Sequence, residues 1–253
     1  MAKVPYDKDH ASHYDASRAM IPEMRKAWLT AVRKYLPSIT PLRIIDIGSG
    51  TGRFSEFFAE QFGASVTGVE PSDDMRRVAE SKLSSDRIRY LKGGAEKLPI
   101  NDDRFDLAWL SMVIHHIEDR PACASETARV LNTGGIAIVR NSFKGRLDGI
   151  EFYEYFTGSM EVDNDRLPSV EEIRNTFEAA GFSFIALESV QQTFADNFQA
   201  YYDKLSNRGV STLRLISDEE FHKGLVRIED ILRTGKRTGP VKEFIDMLVF
   251  KKE

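Results

Sequence analysis

The chain has almost no cysteine. Of its 253 residues only Cys123 carries a thiol. One thiol excludes an internal disulfide framework and a cysteine-built metal cluster, and it fits a reducing, cytoplasmic setting. A charge excess is also missing, since 35 Lys and Arg against 39 Asp and Glu leave a net −4. That balance lacks the basic surplus of a general nucleic-acid grip. No apolar run approaches the ~20 residues of a membrane span. The N-terminus, MAKVPYDKDHASHYD, is too polar for a secretory signal. Repeats and low-complexity tracts are lacking too. With hydrophobic residues at 42% and charged residues at 29%, the chain has the balance of an ordinary soluble globular protein, and neither nucleic acid nor membrane is expected as partner.

The most informative stretch runs from Leu42 to Arg53. Leu42-Arg43-Ile44-Ile45-Asp46-Ile47 is β-branched and apolar with one acid. Gly48-Ser49-Gly50-Thr51-Gly52 is a glycine run. Phe54, Phe57, Phe58 and Phe62 then fall on one helical face. The order reads as buried strand, tight loop and helix. Such a loop brings a ligand close to the backbone, and the helix N-terminus adds unpaired N–H groups and partial positive charge. A dinucleotide fingerprint needs its third glycine one residue later, and a phosphate-binding Walker loop needs a Gly-Lys-Ser/Thr ending; neither is present.

Around this stretch strands and helices alternate. A helix is expected over Ser17–Leu36, capped by Ser17. Strands are expected at Ser65–Glu70, Ile88–Lys92, Phe105–Leu110 and Ile136–Val139. Helices are expected after Ser72 and over Pro121–Leu131, with Gly134-Gly135 beyond the latter. This alternation predicts an α/β, doubly wound, mostly parallel sheet covered on both faces, with ligands beyond the carboxyl ends of the strands. Further on, a helix over Pro168–Ala180, a strand at Phe182–Glu188, a mostly helical region over 194–234 and a short strand at Met247–Lys251 are expected. Residues 142–166 and 194–234 are rich in aromatics, which either wall a substrate pocket or fill a packed core.

The acid-x-Gly-x-Gly-x-Gly pattern of Asp46, Gly48, Gly50 and Gly52 resembles the first motif of the class I S-adenosylmethionine-dependent methyltransferases. Its company sharpens the resemblance: Glu70 and Met75 after the second strand, Gly94-Ala95-Glu96-x-Leu98-Pro99 after the third, Asp103 to Leu107 leading into the fourth, Ser111 to Ile117 after it, and Glu126-x-x-Arg129-Val130-Leu131-x-x-Gly134-Gly135. In this order they resemble the type 11 methyltransferases, the group of ubiquinone- and menaquinone-biosynthesis-like enzymes, over about residues 14–140. The resemblance implies a seven-stranded Rossmann-like sheet with a helical cap. It implies one methyltransferase domain over 1–253, divided into an N-terminal cap segment (1–37), a cofactor-binding core (38–141) and a C-terminal half carrying the substrate cap (142–253).

It also implies roles. Asp46, Gly48, Ser49, Gly50 and Gly52 face the methionine portion of S-adenosylmethionine, Glu70 holds the ribose, Met75 packs on the adenine, Ala95 presents its backbone N–H to that ring, and Pro71 is a further cofactor-binding residue. Ser111 lies beside the sulfonium, and Tyr14 and Arg18 reach the cofactor carboxylate. The group commonly has an acid where this chain has Gly94, so Glu96 is the candidate replacement. Each residue also has a plainer reading: Asp46 satisfying loop amides, Glu70 on the surface, Met75 in the core, Tyr14 and Arg18 at an ordinary helix start, and Glu126 with Arg129 as an exposed pair.

The implied activity is methyl transfer to an O, N or C atom of a small-molecule acceptor, leaving S-adenosylhomocysteine. A non-catalytic S-adenosylmethionine-binding regulatory or assembly protein is the alternative. His116 is the candidate base, against a purely structural histidine. No metal site is expected: His115 and His116 are adjacent, and neighbouring side chains diverge, while the pair His10 and His13 lacks partner acids. Arg208, Ser211 and Arg214 are polar candidates to face the acceptor.

Overall fold

The computed structural model describes residues 20–37, 41–83, 85–101 and 104–253. Tyr14, Arg18, His10, His13, the expected cap Ser17 and Asp103 lie outside these residues. Seven strands form one sheet in the order β3-β2-β1-β4-β5-β7-β6: β1 Arg43–Ile47, β2 Ser65–Glu70, β3 Ile88–Lys92, β4 Phe105–Ser111, β5 Leu131–Asn141, β6 Phe182–Ala195 and β7 Val241–Lys252. Strands β1 to β5 pair in parallel, and β7 runs antiparallel between β5 and β6. The mostly parallel, doubly wound sheet is therefore as expected, with its order reversing between β1 and β4.

Both faces are covered. Helix α1 (Pro22–Arg33) and α2 (Arg53–Phe62) pack on one. There Trp109 of β4 lies 4.8 Å from Phe54, 5.2 Å from Phe58 and 5.9 Å from Trp28, measured between ring centroids. The expected phenylalanine stripe of α2 is thus the inner face of a core helix. Helices α4 (Arg120–Val130) and α7 (Val170–Ala179) cover the other face with Cys123, Ile173 and Phe177. Helix α3 (Asp73–Ser81) follows β2, with the Ser72 hydroxyl accepting from the Met75 amide.

Several boundaries differ from the sequence reading. Helix α1 begins at Pro22 and not at Ser17, and its N-cap, Ile21, supplies no side-chain bond. Pro22 has no amide to satisfy at that position, so it opens the helix. Strand β5 starts directly at Leu131, with a register shift against β4 that takes up Gly134, whose φ is 77°. Phe194, expected in a helix, belongs to β6. Strand β7 is twelve residues long and not the short Met247–Lys251 segment. Lys242, Glu243 and Asp246 interrupt its apolar pattern, and the strand forms because β6 pairs with it along its whole length. Glu126 and Arg129 form more than a surface pair. Glu126 accepts from the Leu98 amide at 2.8 Å, and Arg129 donates to the Ile100 carbonyl at 2.8 Å, tying down the loop after β3.

The two long connections that leave the carboxyl ends of β5 and β6 build a cap. It comprises α5 (Phe152–Tyr155), α6 (Ser159–Arg166), α8 (Phe198–Ser206), a 3-10 turn at Ser211–Arg214 and α9 (Asp218–Thr234). Its own core gathers Phe156, Phe198, Tyr201, Leu213 and Ile228. Among the described residues no helix is long and apolar enough to cross a membrane.

Candidate cofactor cleft

The glycine loop leaves β1 at the point where the strand order reverses. The Gly48 and Ser49 amides both donate to the Val69 carbonyl, at 2.8 and 3.1 Å, anchoring the loop on β2. Gly48, Gly50 and Gly52 have φ of 70°, 56° and 80°, the left-handed region that glycine enters at low cost. Their surroundings differ. A Cβ on Gly48 would fall 2.3 Å from a Val113 methyl, and one on Gly52 would fall 2.0 Å from the Tyr90 hydroxyl oxygen. One on Gly50 would meet nothing within 4 Å. Gly48 and Gly52 are thus required by packing, and Gly50 is the glycine that leaves its backbone open to a ligand.

Beside the loop lies a cleft of about 160 Å³. Gly48, Gly50, Glu70, Pro71, Met75, Ser111 and His116 line it, as the sequence reading expected to be together, along with Ser72, Met112 and Val113, which that reading did not assign. Glu70 is 8% exposed, and backbone donors hold both of its oxygens, the Gly50 amide on Oε2 and the Ser72 amide on Oε1, each at 2.9 Å. Burial raises its carboxyl above the ordinary range, with these two amides opposing the shift. Each oxygen keeps a lone pair to offer a ligand. Met75 is buried on the first turn of α3.

Five of the expected residues stand outside this lining. Asp46 is buried beneath the loop and accepts from the Ser55 hydroxyl at 2.7 Å. Burial pushes its carboxyl up to about 7, with the Ser55 bond pulling the other way. Ser49 turns its hydroxyl toward Gly68, 2.8 Å from where a Cβ would stand there. Gly52 caps α2 without a side-chain bond. Ala95 packs into the core. Glu96 folds back toward Gly94, its Oε2 3.1 Å from where a Gly94 Cβ would be.

His115 and His116 sit on a 3-10 turn, Ile114–His116, and their rings are 4.1 Å apart. The expectation that adjacent histidines diverge fails here because the tight turn brings both rings to one side. Among the described residues no group of three metal-ligating side chains is formed. His115 is buried, with Nδ1 2.9 Å from the Asn141 side-chain oxygen, and burial holds it well below its ordinary pKa. His116 reaches solvent at the cleft, yet the protein packed about it, and then the Arg166 charge, hold it down to about 4. At neutral pH its ring is uncharged and can accept a proton.

Of the three cap candidates only Ser211 faces inward, accepting from Arg166 at 3.1 Å. Arg208 instead pairs with Asp218 and lies 4.0 Å over the Phe221 ring, and Arg214 donates to the Arg208 carbonyl.

Residues 45–139 match the family described as "Methyltransferase domain", Methyltransf_11. The methyltransferase GfsG of Streptomyces halstedii is 34% identical over 113 residues, 43% of this chain and 41% of that protein. The demethylmenaquinone methyltransferase of Staphylococcus aureus is 24% identical over 209 residues, 74% of this chain and 87% of that protein. The crystal structure of a putative methyltransferase from an antibiotic biosynthesis pathway of Anabaena variabilis superposes with a TM-score of 0.69 at 22% identity, covering 90% of this chain and 98% of the other. The domain match, the longer relative and the fold agree: residues 45–139 are similar to a type 11 methyltransferase domain, and the fold is one shared with a solved methyltransferase structure.

Proposed function

We propose that the cleft beside Gly50 holds S-adenosylmethionine and that the chain transfers its methyl group to a small molecule seated under the cap. The observation that carries this reading is the Glu70 carboxylate, nine-tenths buried and held by the Gly50 and Ser72 amides beside an open glycine backbone. That arrangement suits two ribose hydroxyls. When bound, S-adenosylmethionine supplies an electrophilic methyl on a sulfonium. The protein's part is then to orient and to exclude water.

In this reading Gly48 and Gly50 offer their backbone to the methionine portion, Met75 and Pro71 flank the adenine, Glu96 stands for the missing acid, and Ser111 lies by the sulfur. Asp46, Ser49 and Gly52 support the loop from below, and Ala95 contributes through its backbone. Tyr14 and Arg18 keep their proposed place at the cofactor carboxylate. His116 takes the proton from a hydroxyl or ammonium acceptor. The domain division at 37 and 141 and a cytoplasmic setting belong to the same proposal. The methyltransferase relatives favour turnover over a non-catalytic binding role.

Isothermal titration with S-adenosylhomocysteine tests the reading, with NAD as control. Saturable binding of the first and none of the second is expected. The reverse pattern would overturn it.

A further inference from the structure

Behind Met112 lies a second, inner cavity of about 40 Å³, room for about three waters. Met112 lines both this cavity and the cofactor cleft and holds a φ of 53°. It therefore stands where the two spaces adjoin. The inner cavity sits where the carboxyl edge of the sheet meets the cap, and four charged side chains reach it: Arg140, Asp163, Arg166 and Glu243.

Asp163 and Arg166 answer one another at 2.5 Å, and Asp163 also accepts from the Tyr153 and Thr212 hydroxyls at 2.5 and 2.8 Å. Arg140 donates to the Ser111 hydroxyl and to the Gln192 side-chain oxygen, each at 3.1 Å, and lies 4.6 Å over the Trp28 ring. Glu243 differs. It is 8% exposed, and among the described residues its hydrogen bond comes from the Gln192 amide nitrogen at 2.5 Å. Gln192 is fixed in that orientation, because its oxygen also accepts from Trp28 Nε1 at 2.6 Å. Among the described residues no ion pair to Glu243 is formed, and Gln192 stands between it and Arg140, accepting from the arginine and donating to the carboxylate. A buried carboxylate without a cation is costly unless something positive completes it. Phe152, Tyr153 and Phe194 line the same cavity, and ring faces favour a cation over an anion.

We infer that Glu243 anchors a protonated amine, so that the methyl acceptor belongs to the class of small molecules bearing an alkylammonium group. The inference rests on reading the neighbouring cleft as the S-adenosylmethionine site. The ammonium held at Glu243 keeps its proton and serves as an anchor. The methylated atom lies at the other end, toward Met112 and Ser111.

The test uses the full chain at neutral pH. S-adenosylhomocysteine is titrated first; its failure to bind would overturn the cofactor reading. On the saturated protein, ligand-observed NMR then compares three probes of equal size: propylamine, 1-propanol and propionate. Propylamine is expected to bind at least about tenfold more tightly than either, as a charge-assisted contact to a buried carboxylate requires. In Glu243→Gln, which keeps the bond to Gln192, that preference is expected to fall to within about twofold while S-adenosylhomocysteine affinity is kept. Equal or better binding of 1-propanol or propionate to the unaltered protein overturns the inference whether or not the variant folds. Survival of the preference in the variant overturns it as well.

Discussion

The Gly50 amide donates to Glu70 Oε2 at 2.9 Å, joining the glycine loop after β1 to the end of β2. One carboxylate thus shapes the loop and lines the cleft beside it. Replacing Glu70 by Gln keeps an acceptor for one amide, removes the charge and leaves one backbone donor facing an NH2 group. S-adenosylhomocysteine affinity is expected to fall by about 10- to 100-fold, on the order of 1.4–3 kcal/mol. Calorimetric titration checks this, and unchanged affinity would reduce Glu70 to a loop support.

The three loop glycines are expected to fail in different ways. Gly52→Ala drives a methyl into the Tyr90 hydroxyl at a positive φ, and costs about 2–4 kcal/mol of stability. Gly50→Ala meets no atom, so its stability cost stays near about 1 kcal/mol while cofactor affinity drops. Paired melting curves and titrations separate the two, and equal loss of stability in both variants would refute the distinction.

Asp46 makes stability depend on pH. Its carboxyl stays protonated in the fold up to about 7 but ionises from 3.8 in the unfolded chain. Between these values the folded state binds more protons, so unfolding free energy falls as pH rises. Stability from this group is full below the lower value and lost through the upper one. Asp46→Asn keeps the acceptor for Ser55 and is expected to flatten that decline. Denaturant midpoints of the ligand-free protein at several pH values read it out, and a decline as steep in the variant would exonerate Asp46.

His116 is uncharged well below neutrality, since its ring is held down to about 4. If it takes the acceptor's proton, kcat/KM is expected to stay level from neutral pH to about 5 and to fall on the acid side. His116→Gln should lower turnover by about 10²- to 10⁴-fold and remove that acid limb. Full turnover in the variant at every pH would leave His116 a structural residue.

Legibility in the sequence divides near Asn141. Up to that point local rules suffice: β-branched runs make buried parallel strands, Ser72 caps a helix, and Gly48 to Gly52 make a turn that few other residues could hold. Beyond it, β7 defeats pattern reading because Lys242, Glu243 and Asp246 break its apolar run. Only pairing with β6 makes those residues a strand. Arg140 carries a faint signal, a charge closing the apolar run Ile136–Val139. Glu243 and Gln192 carry none.

The order of strands and helices through the first five strands, the glycine loop and the acid that ends β2 were determined by the sequence itself, through periodicity and conformational preference between near neighbours. Which glycine borders open space, and the run of contacts Ser111–Arg140–Gln192–Glu243, were decided by the tertiary structure. Those four side chains come from the ends of four different strands. They meet only because β7 inserts between β5 and β6 and brings their ends to one edge of the sheet.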